Sequence, residues 1–437
     1  MFRPFSRCVF KPLLLLVCAP GAHAEDPGAA RKHLLDYFLA VSGEQRVGAL
    51  KALEARRDLG PAAFRRLLAE TPRVPPFAAG TTKIETDPAG SGGVRVPLVL
   101  HVPSGYDPSR LWPLLVHLGA TGEDPEAAVA SRAAVADRDG WIVASPLWPE
   151  SLAKSGWDSA PGHRAIPGDC VAAVRKRLRV DPDRVCLSGA SLGAHAAWEA
   201  ALLEPDRWAA LWTRGGGPRL FGLAYAENLS RLPVRAVAGE NDQPLLLGNL
   251  RRAADVLRGG AFDLRIVPGA GHSGFPEDEA DGWAWLRDRR RALPDRFAYL
   301  THSLDRPRGA WLEALALAPG VLDPSQRGPR VEIPADGPAP SEDVMRNKYV
   351  EGASRALARM AGWIRSGNRI EIETRHVGEI AVLLSDERIE PGKPVVIYRN
   401  GRKAWEGTPA WDVGWSLEQV RRSGDDGRFF FGRIVLP

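Results

Sequence analysis

Gly189-Ala190-Ser191-Leu192-Gly193 is the segment of this chain whose spacing most directly implies chemistry. A G-x-S-x-G run between an apolar strand and a helix holds its serine on a sharp turn, with Oγ exposed at the strand end. The strand is expected at Val185-Cys186-Leu187 and the helix over Ala194 to Leu203. Small residues two before and two after the serine let the neighbouring backbone pass. The helix start aims its N–H groups and positive dipole end at any oxyanion formed on a substrate. Ser191 is therefore the candidate nucleophile. An idle serine on a glycine-rich turn would match the same pattern, so the reading depends on partners elsewhere.

A nucleophilic serine needs a base, and the base needs an acid to orient it. The acid is expected in Gly239-Glu240-Asn241-Asp242, after the strand Val234 to Ala238. Asp242 is the choice, with Glu240 the alternative in the same turn. The base is expected in Pro268-Gly269-Ala270-Gly271-His272-Ser273, directly after the strand Phe262 to Val267. A histidine on a glycine-flanked loop can reach both serine and acid, and imidazole takes and returns a proton near neutrality. His272 is that candidate. Gly269 to Gly274 also matches G-x-G-x-x-G, but no further βα unit follows to hold a ribose, which argues against dinucleotide binding. For an oxyanion, the N–H of Leu192 is one expected donor. The second is assigned to Ala120, with Gly119 as the alternative, in His117-Leu118-Gly119-Ala120-Thr121-Gly122 after the strand Leu114 to Leu118. Leu118 stands where such a loop usually carries glycine.

These positions require a sheet whose strand ends gather on one edge. Short apolar runs at Val96 to Val102, Leu114 to Leu118, Trp141 to Ser145, Val185 to Ser188, Val234 to Ala238 and Phe262 to Val267 alternate, in the later part, with helical patterns. That alternation predicts an α/β architecture, a mostly parallel sheet covered by helices on both faces. Gly282 to Arg291 reads as the closing helix. Residues 25–76 form a helical N-terminal flank, 77–294 the catalytic domain, 295–344 a connector with a proline-rich stretch, and 345–437 a small β-rich domain with a leading helix over Met345 to Ile364. Asn400-Gly401 between two apolar runs is a type I′ hairpin signal. Trp405, Trp411 and Trp415 are expected to pack within this domain, a polymer-binding face being the alternative.

With the elbow, the run Asp181-Pro182-Asp183-Arg184-Val185 ahead of it and Trp198 behind it, the chain resembles the α/β-hydrolase superfamily. The resemblance covers about residues 94 to 292. Within the superfamily it is similar to the secreted esterase group that includes esterase D-like, feruloyl esterase-like and polyhydroxybutyrate depolymerase-like proteins, and also to prolyl-oligopeptidase-type hydrolases. The resemblance implies the triad Ser191, Asp242 and His272 and no cofactor. Ester cleavage through an acyl-serine is the leading expectation, on a small-molecule or polymer ester. A prolyl-oligopeptidase-like peptidase is the second, although no blade-like repeat is present to gate entry. A non-catalytic binding protein on the same fold is the third. The stretch Trp148 to Gly168 is expected as a loop beside the site, with Trp148, Trp157 and His163 as candidate substrate contacts.

Composition narrows the classes further. Arg3, Arg7 and Lys11, the apolar run Leu13 to Val17 and the Ala22-His23-Ala24 cleavage pattern predict a signal peptide over residues 1–24, hence an exported protein. Cys18 raises a lipoprotein alternative, weakened by Val17 where a smaller residue is needed. Loss of those three cations takes the formal net charge from +5 to +2, so nothing in the charge points to nucleic acid. No segment has transmembrane length. Cys170 and Cys186 are expected as two buried thiols. No metal-ligand spacing such as H-E-x-x-H is present. The sequence leaves the oligomeric state open.

Overall fold

The computed structural model describes residues 27–56, 58–87, 94–147, 161–273, 275–305, 307–331 and 339–437. The expected export segment lies outside them. Helices α1 (Pro27–Leu39), α2 (Gly43–Glu54) and α3 (Pro61–Glu70) come first. Eight strands then build one sheet: β1 (Gly80–Glu85), β2 (Pro97–Val102), β3 (Trp112–Leu118), β4 (Ile142–Pro146), β5 (Val180–Ala190), β6 (Ala210–Arg214), β7 (Val234–Gly239) and β8 (Phe262–Val267). Their order is β1-β2-β4-β3-β5-β6-β7-β8. The β1–β2 and β2–β4 pairs are antiparallel and all other pairs are parallel. Strands β1 and β6 were not expected. The first is a polar edge strand paired on one side only, and such a strand lacks the apolar run that marks a buried one.

Side chains alternate across the sheet, as the two-residue strand period demands. Leu114 and Val116 of β3 join a core that contains Val171 and Val174 of α5 (Pro161–Arg175), Trp198 of α6 (Leu192–Leu203) and Leu250 of α7 (Pro244–Val256). Leu115 faces the other way, toward Val129 of α4 (Pro125–Asp139) and Trp283 of α8 (Pro276–Leu286). Helix α8 thus starts six residues before the expected Gly282. Cys170 and Cys186 are unpaired and buried. Burial raises both thiols, Cys186 to about 12.

The stretch read as a connector carries three strands, β9 (Arg296–Thr301), β10 (Arg308–Gly309) and β11 (Leu312–Leu317). After it come α9 (Glu342–Ala356), β12 (Ala358–Arg365), β13 (Arg369–Arg375), β14 (Val377–Leu384), β15 (Val395–Arg399), β16 (Arg402–Gly407), α10 (Val413–Ser423) and β17 (Gly432–Leu436). The helix expected over Met345 to Ile364 therefore ends early. Residues 358–365 pair on both edges, with β9 and with β13, so ladder hydrogen bonds override local helix preference. The Asn400-Gly401 turn has positive φ at both residues, 50° and 78°, and joins β15 to β16 as an antiparallel hairpin.

A second core joins the two ends of the chain. Leu34, Leu53, Phe64 and Leu68 of α1 to α3 pack in one cluster with Trp311, Leu417, Phe429 and Phe430. Trp411 meets Phe64 edge-on at 5.4 Å, and Trp405 and Trp415 are partly buried against the same cluster. Ion pairs tie this body to the sheet. Arg291 donates to both oxygens of Asp425, at 2.7 and 2.8 Å, and to Asp183 at 3.0 Å.

Candidate active site

Strand β5 ends at Ala190, and Ser191 turns the chain into α6 with φ 50° and ψ −118°. Non-glycine residues in such conformations cost on the order of 1–3 kcal/mol and persist only where surroundings impose them. Here Ser191 N–H donates to Arg214 O at 2.9 Å, which holds the turn against the end of β6. The motif glycines are steric requirements. A Cβ on Gly189 would overlap Gly193 O, and one on Gly193 would overlap Leu118 O. The elbow is therefore wedged between its own helix and the loop after β3.

Three of the expected residues meet in one hydrogen-bonded line. His272 Nε2 lies 2.8 Å from Ser191 Oγ, and His272 Nδ1 lies 2.9 Å from Asp242 Oδ1. With Nδ1–H donating to the carboxylate, Nε2 is left to accept the serine proton. The Asp242 side chain is 1% exposed and that of His272 47%, so the carboxylate is screened while the imidazole faces solvent. Asp242 Oδ1 also accepts the N–H of Gln243 at 2.7 Å. Glu240 does other work: its Oε2 accepts the N–H of Gly269 at 2.9 Å, and Asn241 N–H donates to Ala270 O at 2.9 Å. Both bonds tie the acid turn to the histidine loop, so the alternative acid is a fastener of that loop.

The oxyanion side departs from expectation at one atom. Leu192 N–H is the first amide of α6, where no intrahelical acceptor exists. Ala120 N–H, the expected second donor, instead donates to Glu123 Oε2 at 2.8 Å. The same carboxylate lies 3.5 Å from His117 Nε2, too long for a good hydrogen bond and short enough for electrostatic coupling. His117 Nδ1 is 2.9 Å from Ser188 Oγ. His117 holds Glu123 down at about 2 against the opposing effect of burial, with the Ala120 N–H and Arg132 adding to it. Burial, reinforced by Arg132, pushes His117 down to about 4. Glu123 was absent from the sequence reading. The available signal was an acid three residues past Ala120, able to fold back on a turn.

The remaining candidates divide. Trp148 and Trp157 lie outside the described residues. His163 is buried in the first turn of α5, so residues 161–168 are helix where a loop was expected. His195, one turn beyond Ser191, lies with Nδ1 2.5 Å from Gly217 O, and burial lowers its pKa. Among the described residues, no group of three or more His, Cys, Asp or Glu could hold a metal ion, and no helix is long and apolar enough to cross a membrane.

No family model and no curated protein matches this sequence. Among solved structures, a thermostable esterase matches with a TM-score of 0.38 and 22% identity over 48% of this chain and 63% of that one. The chain therefore spans less than two thirds of that esterase. An S-formylglutathione hydrolase from Agrobacterium tumefaciens matches with a TM-score of 0.40 and 14% identity, over 49% of this chain and 97% of the other. Dipeptidyl peptidase 4 from Porphyromonas gingivalis matches with 0.39 and 17%, over 51% and 37%. By its own strand order, its helices on both faces and the strained serine between β5 and α6, this chain has the α/β-hydrolase fold. A second, β-rich body is added to it.

Proposed function

We propose that this chain is an exported serine hydrolase that cleaves carboxylic esters through an acyl-serine intermediate. The observation that carries the reading is the continuous Ser191–His272–Asp242 hydrogen-bonded line on a strained elbow. His272 Nε2 takes the Ser191 proton as Oγ attacks the ester carbonyl. Asp242 fixes the imidazole tautomer and stabilises the imidazolium. The tetrahedral oxyanion is met by Leu192 N–H and, because Ala120 N–H is engaged by Glu123, by Gly119 N–H. His272 then protonates the leaving alcohol. Water, deprotonated by the same base, releases the acid and restores Ser191. The cationic, apolar and small-x-small order of residues 1–24 supports export.

The test is labelling of the purified mature chain by a fluorophosphonate, beside turnover of p-nitrophenyl esters and aminoacyl-proline substrates. Wild type is expected to be labelled and to favour the esters, and Ser191→Ala to lose both labelling and turnover, the latter by on the order of 10⁴-fold or more. Faster cleavage of the aminoacyl-proline substrates would replace the esterase reading with a peptidase one. An unlabelled wild-type chain would leave a binding protein.

A further inference from the structure

Arg214-Gly215, at the end of β6, touches both members of the Ser191–His272 pair. Arg214 O accepts the Ser191 N–H at 2.9 Å. Gly215, at φ 58°, passes so close to the histidine loop that a Cβ there would stand 2.7 Å from His272 O and 3.8 Å from His272 Cε1. A shift of this segment would therefore alter the approach of His272 Nε2 to Ser191 Oγ, which stands at 2.8 Å.

Helix α8 holds the segment in place. Side chains two apart on a strand share a face, so Trp212 and Arg214 of β6 are both turned to the layer that contains α8. A Cβ on Gly282 of α8 would overlap the Trp212 ring, which seats the helix directly on the strand. Three residues earlier, on the same face of the helix, Glu279 Oε2 accepts from Arg214 Nη1. The Arg214 guanidinium also lies over the Trp212 ring, 5.0 Å from its centroid. The other oxygen, Glu279 Oε1, accepts from Trp283 Nε1 at 3.2 Å and lies 3.4 Å from Nε of the buried Arg132 of α4. Arg132 acts in turn on the loop after β3, where it helps to hold down the Glu123 carboxyl that accepts the Ala120 N–H. One carboxylate of α8, the element next after the His272 loop, thus ties the strand end beside Ser191 to the helix behind the oxyanion loop.

We infer that Glu279 is a positioning residue for Ser191 and His272, acting through Arg214. The inference rests on the hydrolase reading above and adds to it a residue that the triad does not contain. Charge-assisted bonds are short and directional, so the Glu279–Arg214 pair fixes the strand end more firmly than packing alone. A misplacement of reacting groups by about 1 Å costs on the order of 100-fold in rate. Glu279 exerts this effect without touching the substrate.

The experiment measures kcat and KM on p-nitrophenyl acetate for wild type, Glu279→Ala, Glu279→Gln and Asp281→Ala, with rates divided by the fraction of chains that a fluorophosphonate labels at saturation. Glu279→Ala is expected to lose about 10- to 100-fold in kcat per labelled chain, with KM within about 2-fold of wild type. Glu279→Gln keeps an acceptor for Arg214 and is expected to recover most of the rate. Asp281, on the same helix, pairs with Arg265 of β8 at 2.9 Å, so Asp281→Ala controls for loosened docking of α8 and is expected to keep the wild-type kcat. A loss in Asp281→Ala equal to that in Glu279→Ala, or a loss that vanishes once rates are counted per labelled chain, would give Glu279 a general structural role and overturn the inference. Wild-type kcat in a normally labelled Glu279→Ala would overturn it too, with the hydrolase reading intact. A wild-type chain that is neither labelled nor active overturns both.

Discussion

Glu123 accepts the N–H of Ala120 at 2.8 Å, three residues back along its own turn. The bond fixes the peptide plane beside Gly119, and a Cβ on Gly119 would already stand 3.3 Å from the same carboxylate. Glu123 therefore acts as a positioning residue for the loop after β3. Removal of the acceptor in Glu123→Ala is expected to lower kcat by roughly 10- to 100-fold with little change in KM, since small displacements of an oxyanion donor cost that much. Glu123→Gln keeps an acceptor at that atom and is expected to recover most of the rate. A rise in kcat for Glu123→Ala would mean that Ala120 N–H is the true donor and the carboxylate blocks it.

Asp242 and Glu240 share a turn but bond to different partners. Asp242→Asn should cost on the order of 10⁴-fold in turnover, because an amide favours the wrong imidazole tautomer. Glu240→Gln removes only a charge from a bond to Gly269 N–H, and should cost less than about 10-fold. Steady-state kinetics of both variants on one ester decides the order, and the reverse order would transfer the orienting role to Glu240.

The strain at Ser191 makes a stability prediction that is separate from catalysis. Glycine is ordinarily less stable than alanine by about 0.5–1 kcal/mol, through the entropy of the unfolded chain. At φ 50° and ψ −118° that order should invert, with Ser191→Gly more stable than Ser191→Ala by about 1 kcal/mol. Both variants lack the hydroxyl, so its lost hydrogen bond cancels in the comparison. Thermal unfolding of the two, side by side, measures the difference.

Asp425 is the buried anion that links the appended body to the sheet. Burial acts to raise its carboxyl, but Arg291 and Arg175 overcome this and hold it far below the usual carboxylate range. A depressed folded-state pKa means that the stabilisation is complete above the unfolded value of about 4 and is lost as pH falls through more acid conditions. Asp425→Asn leaves Arg291, 3% exposed, without its closest anion and should cost about 3–5 kcal/mol at pH 7. Denaturant unfolding at pH 7 and pH 3 should show the gap between wild type and variant narrowing in acid. A gap independent of pH would assign the loss to packing.

The grouping of Ser191, His272 and Asp242 was legible because each sits just past the end of an apolar strand, where local pattern and turn chemistry coincide. Strand β8 begins and ends at the expected residues, and the Asn400-Gly401 hairpin follows from turn chemistry alone. The choice of Asp242 over Glu240 was open in sequence, since both lie within the same turn. Only the approach of the Gly269–His272 loop, set by the β7–β8 pairing, decided which carboxylate faced imidazole. The engagement of Ala120 N–H was equally out of reach, because a side chain folding back on its own turn leaves no periodic trace. Strand β12 was hidden for a different reason: its residues are compatible with helix, and pairing with β9, distant in sequence, and with the adjacent β13 settled the matter. The joining of α1 to α3 with the C-terminal strands belongs to the same class. Sequence periodicity reports which face of an element is apolar, and that fixed the sheet, its strand ends and the residues placed there. Which apolar faces then meet is decided by long-range packing, and that set α9 against the core that covers the sheet and made the two ends of the chain one core.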